Sequence, residues 1–410
     1  MSKLKDGVIR RGSTWAYVVR VADPETGKSK PKWVGGFPTE AAAKAARDEA
    51  RVAARRGEYV DRSALTVGDY LNEWVAAHAG SVKPGTAVGY RADVERYLIP
   101  RIGGLRLQGL RPAQLSKLYA DLAASGGSGG APLAASTVAH VHRTLRKALA
   151  DAVRVEQLLA SNPAERAKLP RARRGEPGTI WNPAQLATFL GCVAGHRLSA
   201  FYRLAAFTGA RRGELLFLRW SAVDLDAAEV TFSGSADVID GERVEGDTKG
   251  GRSRVVSFDA GTVAALREHR KRQLEERLAV GPMWTETGLV FATETGGPVY
   301  PDTVTAIMRK AIADYNDPYI PGCGRGHRRK LLPKPAEPLP AARLHDLRHV
   351  HATTLLLAGV PVHVVAGRLG HADPSVTLQV YAHVLREQAA GVADVFAAQV
   401  EAAVSKAVSS

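Results

Sequence analysis

The chain is 410 residues long, more than one ordinary core accommodates, so two or three domains are expected. Its 56 Lys+Arg against 41 Asp+Glu leave a formal charge of +15, with +6 over residues 1–60, +7 over 61–176 and +2 over 177–410; such a surplus calls for a polyanionic partner, nucleic acid ahead of an anionic membrane surface. The start MSKLKDGVIRRG has no apolar leader, no run of about eighteen apolar residues follows, and Cys192 and Cys323 stand in unrelated contexts, so a secretory signal, a membrane span, a disulfide framework and a cysteine-built zinc site are unsupported and a cytoplasmic protein is expected.

In TWAYVVRV, Trp15, Tyr17, Val19 and Val21 alternate onto one face; DPETGK turns the chain and KPKWVGGF returns. Thr39 then caps a helix over EAAAKAARDEARVAARRG, so residues 1–60 read as a small sheet-plus-helix domain, too small to be an enzyme. Residues 65–170 are helical in pattern throughout, as TVGDYLNEWVAAH, KPGTAVGYRADVERYLIPRI, RPAQLSKLYADLAA and AASTVAHVHRTLRKALADAVRVEQ, with a flexible SGGSGGAP loop before the last. They predict a compact bundle. Residues 171–178, inside KLPRARRGEPG, read as an interdomain linker that could also cross a phosphate backbone. The third unit, 179–410, opens with helices around 183–194 and 198–208. There follow TGARRGELLFLRW, short strands in EVTFSG and RSRVVSF, the long helix AGTVAALREHRKRQLEERLA and a mainly helical remainder, interrupted by a Pro- and Arg-rich stretch at 315–341 that reads as an exposed insertion.

Four places could carry chemistry. In TGARRGE, Gly209 ends one helix and Arg211 stands at the start of the next, whose Leu215, Leu216 and Leu218 face the core; Arg211 is then presented from a rigid base, or simply pairs with Glu214 at i,i+3. Lys249 precedes Gly250-Gly251 in what reads as a hairpin connection between two short strands, a position also open to an ordinary solvated lysine. RLHDLRHVH, residues 343–351, crowds cationic residues at the lip of the buried run ATTLLLAGV, with His345 in the first turn of a helix and Arg348 on the same side. A zinc reading of His345, His349 and His351 fits poorly, because Asp346 stands where an HExxH helix carries glutamate and His349 and His351 share no face easily. Last, His371 caps a glycine-bounded turn in GRLGH, and Tyr381 follows among Thr377, Val380 and Val384, a setting that in isolation suits a half-buried core tyrosine.

Taken in order, TGARRGE, TKGGRSR, HDLRH, LGH and YAH resemble the tyrosine recombinase, or phage integrase, family in residue type and sequence. The resemblance spans nearly the whole chain. It implies a mainly α protein with small β-sheets: an arm-type, AP2-like DNA-binding domain over 1–60, a helical core-binding, SAM-like domain over 65–170 and an α+β catalytic domain over 179–410. It further implies a catalytic set of Arg211, Lys249, His345, Arg348, His371 and Tyr381, with Tyr381 as nucleophile. The two arginine forks suit the non-bridging oxygens of a phosphorane, and His371 adds a hydrogen bond to them. His345 suits the general base and Lys249 the general acid for the departing 5′ oxygen, while His349, His351, Glu214 and Asp346 serve as supports. No cofactor, metal or ATP is implied, because the phosphotyrosyl link keeps the energy of the broken diester.

The partners implied are double-stranded DNA with core and arm sites, and other copies of this chain in a DNA-bound homotetramer; a directionality factor and a host DNA-bending protein are further partners left open. Three other readings stand beside a phage or integrative-element integrase: a conjugative-transposon integrase with the same chemistry, a catalytically inactive regulator, and a type IB topoisomerase, against which the arm-like domain speaks. In the tail, Val392, Val395, Phe396 and Val400 follow helical spacing and could pack in cis or dock on the next subunit.

Overall fold

The computed structural model describes residues 7–22, 28–56, 59–171, 180–247, 251, 253–320, 330–331, 333–371, 373–375, 377–378, 396–397 and 400–401. Contacts divide the chain into two compact units, residues 1–174 and 175–410.

The first unit opens with a three-stranded antiparallel sheet of β1 (Val8–Arg11), β2 (Thr14–Ala22) and β3 (Ser29–Phe37). Tyr17 and Val19 of β2 alternate inward and are buried with Val8, Phe37 and Ala43. The covering helix α1 (Glu40–Arg55) begins where the Thr39 side chain accepts from the Ala42 amide at 3.2 Å. The bundle follows as α2 (Val67–His78), α3 (Pro84–Asp93), a π-helical segment over Val94–Leu98, α4 (Ile99–Ile102), α5 (Pro112–Ser125) and α6 (Ala135–Arg154). The piece expected as one helix is thus interrupted. Pro100 has no N–H to give the Arg96 carbonyl four residues back. The ladder widens just before it, and Arg101 Nη1 donates to the carbonyls of Arg96 (3.4 Å) and Tyr97 (3.3 Å). In the bundle core, Trp74 Nε1 and Lys147 Nζ donate to Asp151 at 2.8 and 2.6 Å, so this buried carboxylate is satisfied.

The second unit is built on α7 (Pro183–Val193), α8 (Ser199–Thr208), α9 (Arg212–Phe217), α10 (Ala260–Val280), α11 (Pro301–Asn316), α12 (Asp346–Leu357) and α13 (Val362–Leu369). Its core gathers Phe189, Phe201, Tyr202, Leu215, Phe291 and Met308, with Leu347 and Val350 from α12. One three-stranded sheet joins β4 (Val223–Asp224), β5 (Glu229–Phe232) and β8 (Arg254–Ser257), and a separate two-stranded sheet joins β6 (Gly234–Ile239) to β7 (Glu242–Asp247) through an Asp240-Gly241 turn with φ of 52° and 84°. The strands flanking Lys249 in sequence, β7 and β8, therefore pair with β6 and β5 and not with each other. This corrects the expected hairpin at Lys249: the hairpin is one strand pair earlier, closed by its own turn.

The insertion reading needs correction at its ends. Asn316 donates from Nδ2 to the Leu339 carbonyl and accepts the Leu339 amide on Oδ1, each at 2.8 Å, while Trp181 Nε1 donates to the Pro340 carbonyl at 3.0 Å. Leu339 is buried. An apolar side chain and a side-chain amide thus fasten the base of the segment to the core. Between them β9 (Tyr319–Ile320) pairs with β10 (Lys330–Leu331).

Candidate active site

The site is assembled at two glycine turns. Gly209 follows α8 with φ +64°, a left-handed conformation that L side chains rarely adopt. The chain then re-enters a helix, with Arg211 as the residue capping α9. Gly370 plays the same part after α13 (φ +69°), and the next amide, of His371, donates back to the Ala366 carbonyl at 3.0 Å. Each turn aims the side chain beyond it.

Arg348 on α12 ties the two turns together. Its guanidinium, with the residue only 3% exposed, donates from Nη1 to the Gly209 carbonyl and from Nη2 to the Leu369 carbonyl, both at 2.7 Å. These are carbonyls at helix C-termini, where a cation is favoured by the aligned peptide dipoles. Arg211 donates from Nη1 to Glu214 Oε1 at 2.9 Å and from its backbone amide to Glu214 Oε2 at 2.8 Å. The i,i+3 pairing that the sequence offered as an alternative is therefore real, and it orients the arginine.

Glu214 is 2% exposed. Burial alone would raise its carboxyl, but Arg254, with Arg211, holds it below the ordinary carboxylate range. Arg254, from β8, forks onto Glu214 at 3.0 and 2.7 Å. The sequence reading passed over Arg254. A signal was present: it shares the inward face of β8 with buried Val256 at i,i+2, where a charge needs a buried partner.

His345 sits immediately before α12, as its capping residue and not inside its first turn. It keeps an exposed edge, yet desolvation of the rest of the ring, with His349, Arg348 and Arg211 nearby, lowers it to about 4. His349 meets it edge-on, ring centroids 5.1 Å apart. His371 is half-buried, shares a 2.7 Å hydrogen bond with the buried Thr377 hydroxyl, and is also lowered to about 4, by burial first and then by Arg348, Arg211, Arg254 and His345. His351 turns elsewhere: its Nε2 accepts from Arg368 Nε at 3.0 Å, so that nitrogen is taken. The structure thus brings Arg211, His345, Arg348 and His371 together; Lys249 and Tyr381 lie outside the described residues, as does Cys323.

These histidines set a pH dependence of stability. His345, His351 and His371 have an ordinary value of 6.5 and folded values of about 4. Between those limits the unfolded chain binds more protons than the folded one, so stability present above about 6.5 is lost as the pH falls toward 4. Urea midpoints measured across this window should fall steadily; a level midpoint would refute the account.

Comparison with known proteins shows the family. Residues 185–388 match the Phage integrase family, residues 66–123 its N-terminal SAM-like domain and residues 8–52 an Arm DNA-binding domain. The chain belongs to the phage integrase family of tyrosine recombinases, and it is a site-specific recombinase. It is similar to a tyrosine recombinase XerC-like protein of Caldanaerobacter subterraneus subsp. tengcongensis (27% identity, 94% of this chain and 96% of that one). It is also similar to an integrase of Streptomyces ambofaciens (27% identity, 78% and 77%). In fold it resembles the Tn1549 transposon integrase in complex with a circular intermediate DNA, with TM-score 0.63 at 19% identity over 78% of this chain and 95% of that one. Among the described residues no helix is long and apolar enough to cross a membrane.

Proposed function

We propose that this recombinase cleaves and rejoins DNA through a 3′-phosphotyrosyl intermediate, as the integrase of a phage or integrative element. The supporting observation is Arg348, a buried cation fixed by two helix-terminal carbonyls beside Arg211, His345 and His371. Such a group is preorganised for charge that arrives with a phosphate. In this reading the Tyr381 oxygen forms a bond to phosphorus as the bond from phosphorus to the 5′ oxygen breaks. His345, neutral at pH 7, takes the phenol proton, and Lys249 supplies one to the 5′ oxygen. Arg211, Arg348 and His371 hold the non-bridging oxygens. A second 5′-hydroxyl reverses the step, without metal or ATP.

The domain assignment follows: 1–60 for arm sites, 65–170 for core sites, 171–178 as linker and 179–410 for catalysis. The assembly is a homotetramer on DNA, in the cytoplasm of a bacterial cell, with any directionality factor or host bending protein added to it. Phe396 and Val400 in the tail are 73% and 46% exposed, and the catalytic unit carries an apolar groove of about 430 Å³ lined by Leu186, Leu190, Phe207, Val350 and Leu355. These apolar side chains and the groove are matched in chemistry, whether the tail packs in cis or docks on the next subunit.

The test is a nicked suicide substrate carrying the attachment core, incubated in EDTA without ATP and run on a denaturing gel beside Tyr381→Phe. A covalent band from the parent that is absent from the variant is expected. DNA binding on a native gel with no covalent band on the proper site would overturn the reading in favour of an inactive regulator.

A further inference from the structure

We infer that Arg254, a residue outside the expected catalytic set, is the positioning residue that aims Arg211 and sets the charge of its surroundings. The inference rests on the recombinase reading. Its geometry is that of a three-way tie. The Arg254 fork binds both oxygens of Glu214, its Nε donates to the Arg368 carbonyl at 3.0 Å, and its guanidinium lies over the Phe232 ring at 4.8 Å. One side chain on β8 therefore touches the helix headed by Arg211 and the last turn of α13, whose chain continues through Gly370 to His371. The fit at that turn is close: a Cβ on Gly370 would come within 2.8 Å of Arg254 Nη1.

The charge balance gives the tie its purpose. Glu214 Oε1 accepts from both Arg211 Nη1 and Arg254 Nη1, and Oε2 accepts from the Arg211 amide and Arg254 Nη2. Two guanidinium groups share one carboxylate, so the trio keeps a net positive charge. Without Arg254, Glu214 would spend its whole charge on Arg211 and leave that pair neutral where a phosphate must be met. Glu214 would also be free to turn, since two of its hydrogen bonds come from Arg254. A lysine would keep the charge but lacks the planar fork that fixes both oxygens at once.

His371 reports on the same change. The groups that face it are Arg348 on α12, Arg211 at the head of α9, Arg254 on β8 and His345 before α12, with Thr377 on its Nδ1. Removing the Arg254 charge takes away one of the influences that keep His371 neutral, so its titration moves up from about 4 toward 6.5.

The full chain carrying Arg254→Gln or Arg254→Lys would be compared with the parent in three measurements: cleavage rate on saturating nicked substrate, affinity for the same DNA by native gel, and His371 titration by NMR of histidine-labelled protein. The Gln variant should cleave about 10- to 100-fold more slowly with nearly unchanged affinity. Its His371 should titrate higher, and the Lys variant should recover part of the rate. Cleavage at the parent rate overturns the inference, as does slow cleavage with an unmoved His371. If the Gln variant does not fold, the Lys variant carries the test on rate and affinity: it keeps the charge and loses the fork, so slower cleavage at unchanged affinity is expected and cleavage at the parent rate overturns the inference. If the parent itself forms no covalent complex, the recombination chemistry proposed above fails and the positioning role fails with it, whereas a slow Arg254 variant beside an active parent tests that role alone.

Discussion

Arg348→Lys is expected to slow covalent complex formation by about 100- to 1,000-fold. The parent guanidinium spans two carbonyls on different elements, Gly209 and Leu369. A lysine ammonium is a point charge that cannot bond both carbonyls in a flat fork and still meet a phosphate edge. The loss should extend to the fold. At least one buried helix-terminal carbonyl is left without its donor, at a cost of about 1–3 kcal/mol, so the urea midpoint should drop together with the rate. A variant within tenfold of the parent rate would show that the fork is dispensable. A lost rate with an unchanged midpoint would show that the carbonyl bonds contribute nothing to stability.

Gly209→Ala should be nearly as damaging, by a different route. The left-handed φ costs a residue with a Cβ about 1–2 kcal/mol. The added methyl would also stand 2.6 Å from Leu369 Cδ2 and 3.0 Å from His351 Cδ2, so the buried Leu369 side chain and the His351 ring must give way. Together these predict a destabilisation of about 2–4 kcal/mol by urea unfolding. A larger fall in cleavage than in DNA affinity should accompany it, since the shifted turn carries both the Arg348 acceptor and the approach to Arg211. An alanine variant as stable as the parent would remove the structural reason for a glycine here.

The parts of this protein that could be read from sequence are those whose signals are local. Gly209 and Gly370 mark their turns within a residue or two, Thr39 marks its helix, and Leu215 with Leu216 marks a buried face. The order of Arg211, His345, Arg348 and His371 was readable because each lies in a short motif, and the fold then places them around one point. What escaped depends on partners distant along the chain. Arg254 takes its meaning from Glu214, forty positions earlier, and from the Arg368 carbonyl far along the chain, and Asn316 from Leu339. The β6–β7 hairpin escaped for another reason. Asp237, Glu242, Arg243 and Glu245 load its strands with charge and blur the alternation around Asp240-Gly241. The π segment before Pro100 has no side-chain pattern of its own, because it answers a missing amide and not a buried surface.

The Asn316 clasp bears on how such a protein can change over time. Because the Asn316 amide, the buried Leu339 side chain and the Trp181 indole together close the neck of the segment, the core beneath is fastened at that neck. Lengthening a closed loop is cheap, about 0.6 kcal/mol for each doubling. A longer or shorter segment between these fastenings should therefore leave the core contacts of Leu339 and Trp181 in place.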